Sequence, residues 1–378
     1  MRRVLFVFAW LVVGGEETEL RLLARNLDPQ RYTLDVIPCF RKENMPDLTH
    51  AQLEALGVQV DRAAYALSFD ETVAYLAEQL PRYAVVVACQ AVPDVYPAYE
   101  LARSRGLRVP PLIEHGGLVA EALAGPKHLT ARYVGVCASI RDAARLQMPD
   151  RPQHALELPS MVDLSEFDPA QRAAVRAEWG IADDTPVIGW VGRLDRKKRV
   201  EDFIHAAALL YQCCPQARFV IIGGPDAFMP EYAADLHELS HALGLDAALR
   251  FLGDRADVAR LLAGLDIFAW LSAGEGMPHV IAEAGAAGLA VVATRDNGSE
   301  EQITDGESGL FVPHHAPEAV AAALERLIDD PQLRGRLGRA LRRKVEAEYS
   351  VTALLPRWLD LFDEVIAEHT PLFSDARG

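Results

Sequence analysis

Short apolar runs alternate along this chain with stretches in which apolar residues recur every three or four positions. In the first part the runs fall at residues 4–8, 33–39, 58–60, 84–88, 112–114 and 133–137. Helical spacing is strongest at 18–27, 71–80, 96–105 and 140–147. Around 158–169 the periodicity breaks into Pro, Ser and Asp, as an interdomain linker would. The alternation then restarts, with strand-like runs at 187–191, 219–222, 249–251, 267–271, 291–294 and 310–312 and helical stretches at 200–210 and 231–243. Short apolar runs alternating with helices predict mostly parallel sheets with right-handed crossovers. The expected fold is therefore α/β, with two doubly wound, Rossmann-like domains facing a central cleft. Their expected extents are 1–165 and 166–349, and a last helix within 350–378 is expected to pack back on the first domain.

In doubly wound sheets, ligands bind beyond the carboxyl ends of the strands. The polar features of the second half gather at such ends. Gly192-Arg193-Leu-Asp-Arg-Lys-Lys198 follows one strand, Gly223-Gly224 another, Gly253-Asp254 a third, and Arg295-Asp-Asn-Gly-Ser-Glu-Glu301 a further one. The densest stretch is Glu275-Gly276-Met277-Pro278-His-Val-Ile-Ala-Glu283. Pro278 suits the first turn of a helix, which needs no N–H there. Glu283 interrupts a small, apolar run, and His279 lies one turn before it on the same face. A helix N-terminus between two acids, facing Arg193 and Lys198, suits a bound anion. In the first half, Gly14-Gly15 follows the first strand and His115 ends a later one beside Gly116-Gly117. Paired glycines let backbone approach a ligand closely.

Composition narrows the field. The chain has 378 residues, half of them hydrophobic, and a formal net charge of −16. That balance argues against nucleic acid as partner, since phosphate backbones require a basic footprint. It also limits membrane contact to a peripheral one. The five cysteines show no CxxC spacing and fit a reducing, cytoplasmic setting. Arg2-Arg3 and the apolar run after it have the look of a signal peptide, and a buried first strand explains them better. His237-Glu-Leu-Ser-His241 matches the HExxH zinc pattern. With Leu236, Leu239 and Leu243 as the buried stripe and no obvious third ligand, a chance surface match is the expectation.

Taken together, these residues resemble the retaining, nucleotide-sugar-dependent glycosyltransferases of the GT-B fold, family 4. Glu275 to Glu283 is similar to that group's E-x7-E motif in its EGMP form. Val191-Gly192-Arg193-Leu with Lys198 resembles its VGRL…K motif, and Gly298 with Glu301 through Val312 its G…PE…DG..GLLV block. Gly14-Gly15 with Glu17 matches its GG.E loop, and Val162-Asp163…Phe167 its interdomain segment. Ser160-Met161 stands where the group has Asn-Gly, and Ser299-Glu300 where it has Ile-Pro. The resemblance implies a hexosyltransferase that passes a sugar from a nucleoside diphosphate to a hydroxyl acceptor, a glycan, a lipid-linked or a small molecule. It implies that Arg193 and Lys198 hold the diphosphate, that Glu283 takes the ribose hydroxyls, and that Glu275 and His115 contact the donor sugar. Gly14, Gly15, Gly192, Gly276, Met277 and Pro278 would complete the donor site. No metal or other cofactor is expected. An epimerase or phosphorylase on the same fold, or a silent nucleotide-sugar-binding partner, remains as the alternative.

Overall fold

The structure is a computed structural model that describes residues 1–43 and 45–369. It divides into two units, Met1–Ser160 with the chain from Leu354, and Met161–Ala353. The first unit holds β1 (Arg2–Trp10), β2 (Tyr32–Phe40), β3 (Gln59–Val60), β4 (Val85–Cys89), β5 (Leu112–Gly116), β6 (Thr130–Gly135) and β7 (Ala155–Glu157). They form one sheet in the order β3-β2-β1-β4-β5-β6-β7, every pairing parallel. The run that could pass for a leader is β1, an interior strand of this sheet, and Val4 through Ala9 are all buried. Leu5, Val7 and Ala9 pack against Leu76, Leu80, Tyr99 and Ala102 on one face. Because both faces are covered, the strand reads as a continuous apolar run rather than an alternating one. The strand β7 has no counterpart among the expected ones, since three residues carry too little pattern to register.

The helix Gly15–Asn26 starts three residues earlier than its apolar spacing predicts. Glu17 makes this possible, because its Oε1 accepts the N–H of Val12 at 3.2 Å and ties the incoming turn to the first helical turn. The helix Val351–His369 runs from the second unit into the first. Its fully buried Trp358 donates an indole N–H to Glu19 Oε1 at 2.8 Å. Asp363 accepts from Arg2, Arg31 and Tyr32, while Arg132 Nη2 donates to Glu364 and Glu368 at 2.7 and 2.6 Å.

The second unit holds β8 (Val187–Val191), β9 (Arg218–Ile222), β10 (Leu249–Phe251), β11 (Ile267–Trp270), β12 (Ala290–Thr294) and β13 (Leu310–Val312). These also pair in parallel, in the order β10-β9-β8-β11-β12-β13. Arg176, on the helix Arg172–Trp179, is buried beneath this sheet's edge. Its guanidinium donates to the carbonyls of Gly264, Ala182, Asp183 and Thr185 and to Asp266 Oδ2 at 2.6 Å. Asp266 Oδ2 also accepts the N–H of Val187 at 2.8 Å, so one ion pair fixes the starts of β8 and β11. Among the described residues no helix is long and apolar enough to cross a membrane.

Candidate functional site

In the second sheet the strand order reverses between β8 and β11, so the loops after these two strands diverge from one point. Lys198 lies on the first loop and Glu275 on the second. Lys198 Nζ donates to Glu275 Oε1 at 2.7 Å. The ammonium also sits 5.1 Å from the Trp270 ring centroid, where the ring quadrupole favours a cation. Asp195 positions the lysine by accepting the N–H of Lys197 at 2.8 Å, which caps the single turn Arg196–Lys198. The next residue, Arg199, is left-handed at φ +53°, a costly conformation for a side chain with a Cβ. This strained residue directly follows the charged pair at the switch point.

Glu275 is held from three sides. Ser272 Oγ donates to Oε1 at 2.8 Å, and Thr294 Oγ1 fixes Ser272 through its carbonyl at 2.6 Å. The Asp296 carboxylate accepts the backbone N–H groups of Gly274 and Glu275 at 3.0 and 3.3 Å. Asp296 was absent from the expected site, though its pattern was readable: Asp296 and Ser299 form a capping box for the helix Asn297–Gln302. Gly298 on that helix lies so close to the next loop that a Cβ would come within 2.3 Å of the Gly276 carbonyl oxygen. The Gly298 N–H donates to that same oxygen at 2.6 Å, pinning Gly276 and Met277. Because the chain arrives pinned and extended, Pro278 stands just outside the helix His279–Ala286, with ψ 108°, instead of in its first turn. Glu283 projects from that helix with its Oε1 3.7 Å from His279 Nε2.

Burial drives the Glu275 carboxyl upward, but Lys198, Lys197 and the Ser272 hydroxyl outweigh it and leave it below the usual carboxylate range. A group with a depressed folded value stabilises the fold above its unfolded value and loses that contribution as pH falls through the folded one. Glu275→Gln should therefore lose less stability than the parent chain between roughly pH 5 and pH 3. Chemical denaturation at a series of pH values would check this, and equal losses in both chains would contradict it.

Arg193 leaves β8 beside Gly192 and its Nη1 donates to the buried Asp226 at 2.6 Å. The Arg193 side chain as a whole keeps 31% of its surface exposed. Gly192 itself packs against Gly223, where a Cβ would meet the Gly192 carbonyl oxygen at 1.8 Å. Only glycine, at φ +138°, lets these two strand ends approach so closely. A cavity of about 500 Å³ opens elsewhere in this unit, between Asp266, Leu289 and Arg334, at the amino ends of β11 and β12 and away from these loops.

In the first unit the strand order reverses between β1 and β4. Gly14 precedes the helix Gly15–Asn26, and a Cβ there would lie 2.5 Å from Glu17 Oε2, so the turn is closed by its own carboxylate. His115, at the end of β5, is only 4% exposed. Its Nδ1 lies 3.1 Å from Glu16 Oε1, and its ring packs 5.6 Å from that of Trp358. Burial pushes Glu16 up to about 8, against a hydrogen bond from Gln90. Glu121 rises to about 7, through burial and then the Glu16 charge, although Gly117 and Leu118 N–H groups donate to it. Burial lowers His115, and the charges of Glu19 and Glu121 oppose it. The loop after β4 is strained, with Gln90 at φ +63° and Ala91 at φ +47°.

The HExxH stretch behaves as a surface. His237 stacks 3.9 Å from the Phe251 ring, and His241 Nδ1 lies 2.8 Å from Asp246 at an exposed position. The buried face of the helix Glu231–Ala242 is Tyr232, Ala233, Leu236 and Ser240, not Leu243, which is 38% exposed. Replacing both histidines with alanine should change stability by no more than about 0.5 kcal/mol. A thermal melt of the double variant tests it, and a large drop would mean the pair is structural.

With this geometry in place, likeness to known proteins can be located on the chain. Residues 171–344 match the glycosyl transferases group 1 family. That stretch lies wholly between Met161 and Ala353. The D-inositol 3-phosphate glycosyltransferase of Saccharomonospora viridis is 33% identical over 212 residues, 54% of this chain and 49% of that protein. The protein of the same name from Corynebacterium urealyticum is 37% identical over 179 residues, 46% of this chain and 42% of that one. The chain thus aligns with about half the length of these relatives. Among solved structures, Anabaena HepE in complex with UDP-glucose superposes with a TM-score of 0.82 at 20% identity, over 96% of this chain and 100% of that one. Sucrose-phosphate synthase of Thermosynechococcus elongatus gives 0.75 at 19%, over 97% and 100%. These likenesses give the fold, which is GT-B.

Proposed function

We propose that the protein transfers a sugar, a hexose in the simplest case, from a nucleoside diphosphate to a hydroxyl acceptor with retention at the anomeric carbon. The observation that carries this reading is the Lys198–Glu275 pair at the strand reversal of the second sheet, with Arg193 on the same loop as the lysine. Leaving-group departure from a nucleotide sugar builds negative charge on the diphosphate. A cation already in place there stabilises the transition state without reorganisation. Lys198 and Arg193 take that role, Glu275 accepts hydrogen bonds from the donor sugar, and Glu283 accepts those of the ribose. Gly192, Gly276, Met277 and Pro278 supply backbone against the donor, and Pro278 opens a helix whose free N–H groups favour an anion. In the first unit the Gly14-Gly15 turn and His115 serve the reacting end of the sugar. Burial lowers the His115 imidazole below its usual range, which favours a hydrogen-bonding role over a cationic one.

Residues 171–344 support the transferase reading by their family match. The relatives' names suggest polyol-type acceptors, and HepE, crystallised with UDP-glucose, suggests the first donor to try. The experiment incubates the purified chain with UDP-glucose and then with other nucleotide sugars, with and without a panel of polyol and glycan acceptors. Nucleoside diphosphate released only with acceptor, and a product whose anomeric coupling matches the donor, is the expected result. Interconversion of the donor sugar, inversion, or binding without turnover would overturn it.

A further inference from the structure

Beneath the Gly14-Gly15 turn, three side chains of different chemistry converge: the Glu16 carboxylate, the Cys89 thiol and the His115 imidazole. One ligand atom from each lies within 4.8 Å of the other two. They come from three separate elements: the helix after β1, the last residue of β4 and the end of β5. The transfer reading uses neither Glu16 nor Cys89. A sulfur, a nitrogen and an oxygen donor in one pocket form the mixed set that a borderline-soft divalent metal prefers, and hard cations avoid thiols. The Glu16 oxygen and the His115 nitrogen are 3.1 Å apart, close to the roughly 3.3 Å edge of a tetrahedron with zinc-length bonds. The left-handed pair Gln90 and Ala91 directly after Cys89 gives an independent mark of a strained, specialised turn. The Trp10 N–H donates to Gln90 Oε1 at 3.2 Å, so this turn is held in place.

We infer that Glu16, Cys89 and His115 form a binding site for Zn²⁺, and that occupancy inhibits the enzyme by immobilising His115. Binding must displace the thiol proton of Cys89 and the proton that burial keeps on the Glu16 carboxyl at neutral pH, both passing to solvent as the sulfur–zinc and oxygen–zinc bonds form. Zinc uptake therefore releases protons and weakens as pH falls. Inhibition rests on the transferase reading given above, whereas binding does not, so the two are measured separately.

A second group, Cys213, Cys214 and Glu325, has a similar spacing on a more exposed helix end and could bind metal nonspecifically. The test is accordingly made in a Cys213→Ser/Cys214→Ser background. Cobalt(II) is titrated as a spectroscopic stand-in for zinc, and binding of zinc itself is followed by calorimetry and elemental analysis. The expected result is one metal per chain, a thiolate-to-cobalt charge-transfer band, and visible absorption of a tetrahedral or five-coordinate centre. Cys89→Ser should lose the band and bind zinc on the order of 10²-fold more weakly. It should keep its activity in metal-free buffer and become insensitive to zinc. Cys89→Ala serves the same purpose if the serine variant folds poorly, and a zinc-dependent rise in melting temperature of the unmutated pocket is an independent reading. Binding that survives loss of Cys89, or no saturable one-to-one binding, overturns the site. Binding without inhibition overturns the regulatory half alone.

Discussion

Replacing Lys198 with alanine should lower kcat by about 10²–10³-fold while the chain stays folded. On the proposed transfer reading, the donor's diphosphate already carries charge, so a cation beside it aids binding. As the sugar–oxygen bond breaks, more charge collects on the leaving oxygen, and a fixed ammonium then gains more in the transition state than in the ground state. The structure shows why Lys198 is fixed. Asp195 shapes its turn, Trp270 lies under its ammonium and Glu275 holds its Nζ at 2.7 Å. Its loss also leaves the Glu275 carboxylate, only 12% exposed, without its nearest cation. A modest fall in melting temperature should accompany the kinetic defect. Steady-state kinetics at saturating donor, with circular dichroism as a folding control, make the measurement. A raised KM with kcat near the parent value would show the lysine to be a tether for the donor.

The largest stability effect should come from Arg176, far from these loops. Its guanidinium satisfies four carbonyls and the Asp266 carboxylate in a setting with almost no solvent. Arg176→Met conserves length and apolar packing but leaves those acceptors and a buried carboxylate short of donors. Removing one partner of a buried ion pair typically costs about 3–5 kcal/mol. Arg172 still reaches Asp266 Oδ1 at 2.8 Å, which places the expectation toward the lower end of that range. Denaturant unfolding would give the number, and a loss under about 1 kcal/mol would show that the network relaxes around the gap.

Arg176 also shows where sequence reading stops. Its helix reads as an exposed, charged stretch, and only the tertiary fold brings the carbonyls of 182–185 and 264 around it. The strands of the second sheet were legible because each is a short, mostly apolar run soon closed by glycine, proline or a polar residue. The Lys198 and Glu275 loops were legible because charge collects where such runs end. That Lys198 and Glu275 touch was not, since a spacing of 77 residues carries no geometric information. Asp296 escaped for a different reason: its capping pattern with Ser299 was readable, but the two backbone N–H groups it accepts from the Glu275 loop leave no trace in residue type. His115 stands out in the sequence beside Gly116-Gly117, but its depth was not legible. Trp358, which covers it, comes from the far end of the chain.

That distance bears on how the molecule is made. On the ribosome, residues 1–160 emerge first, yet the helix that supplies Trp358 and Asp363 to them emerges after the entire second unit. Residues 161–353 form a continuous stretch and can complete their fold while still tethered, whereas the earlier segment must wait with Glu19 and the partners of Asp363 uncovered. Synthesis order and order of completion are therefore reversed, against the usual tendency of N-terminal domains to finish first. During that interval the unfinished first sheet is the part of the nascent chain that chaperones have most reason to hold.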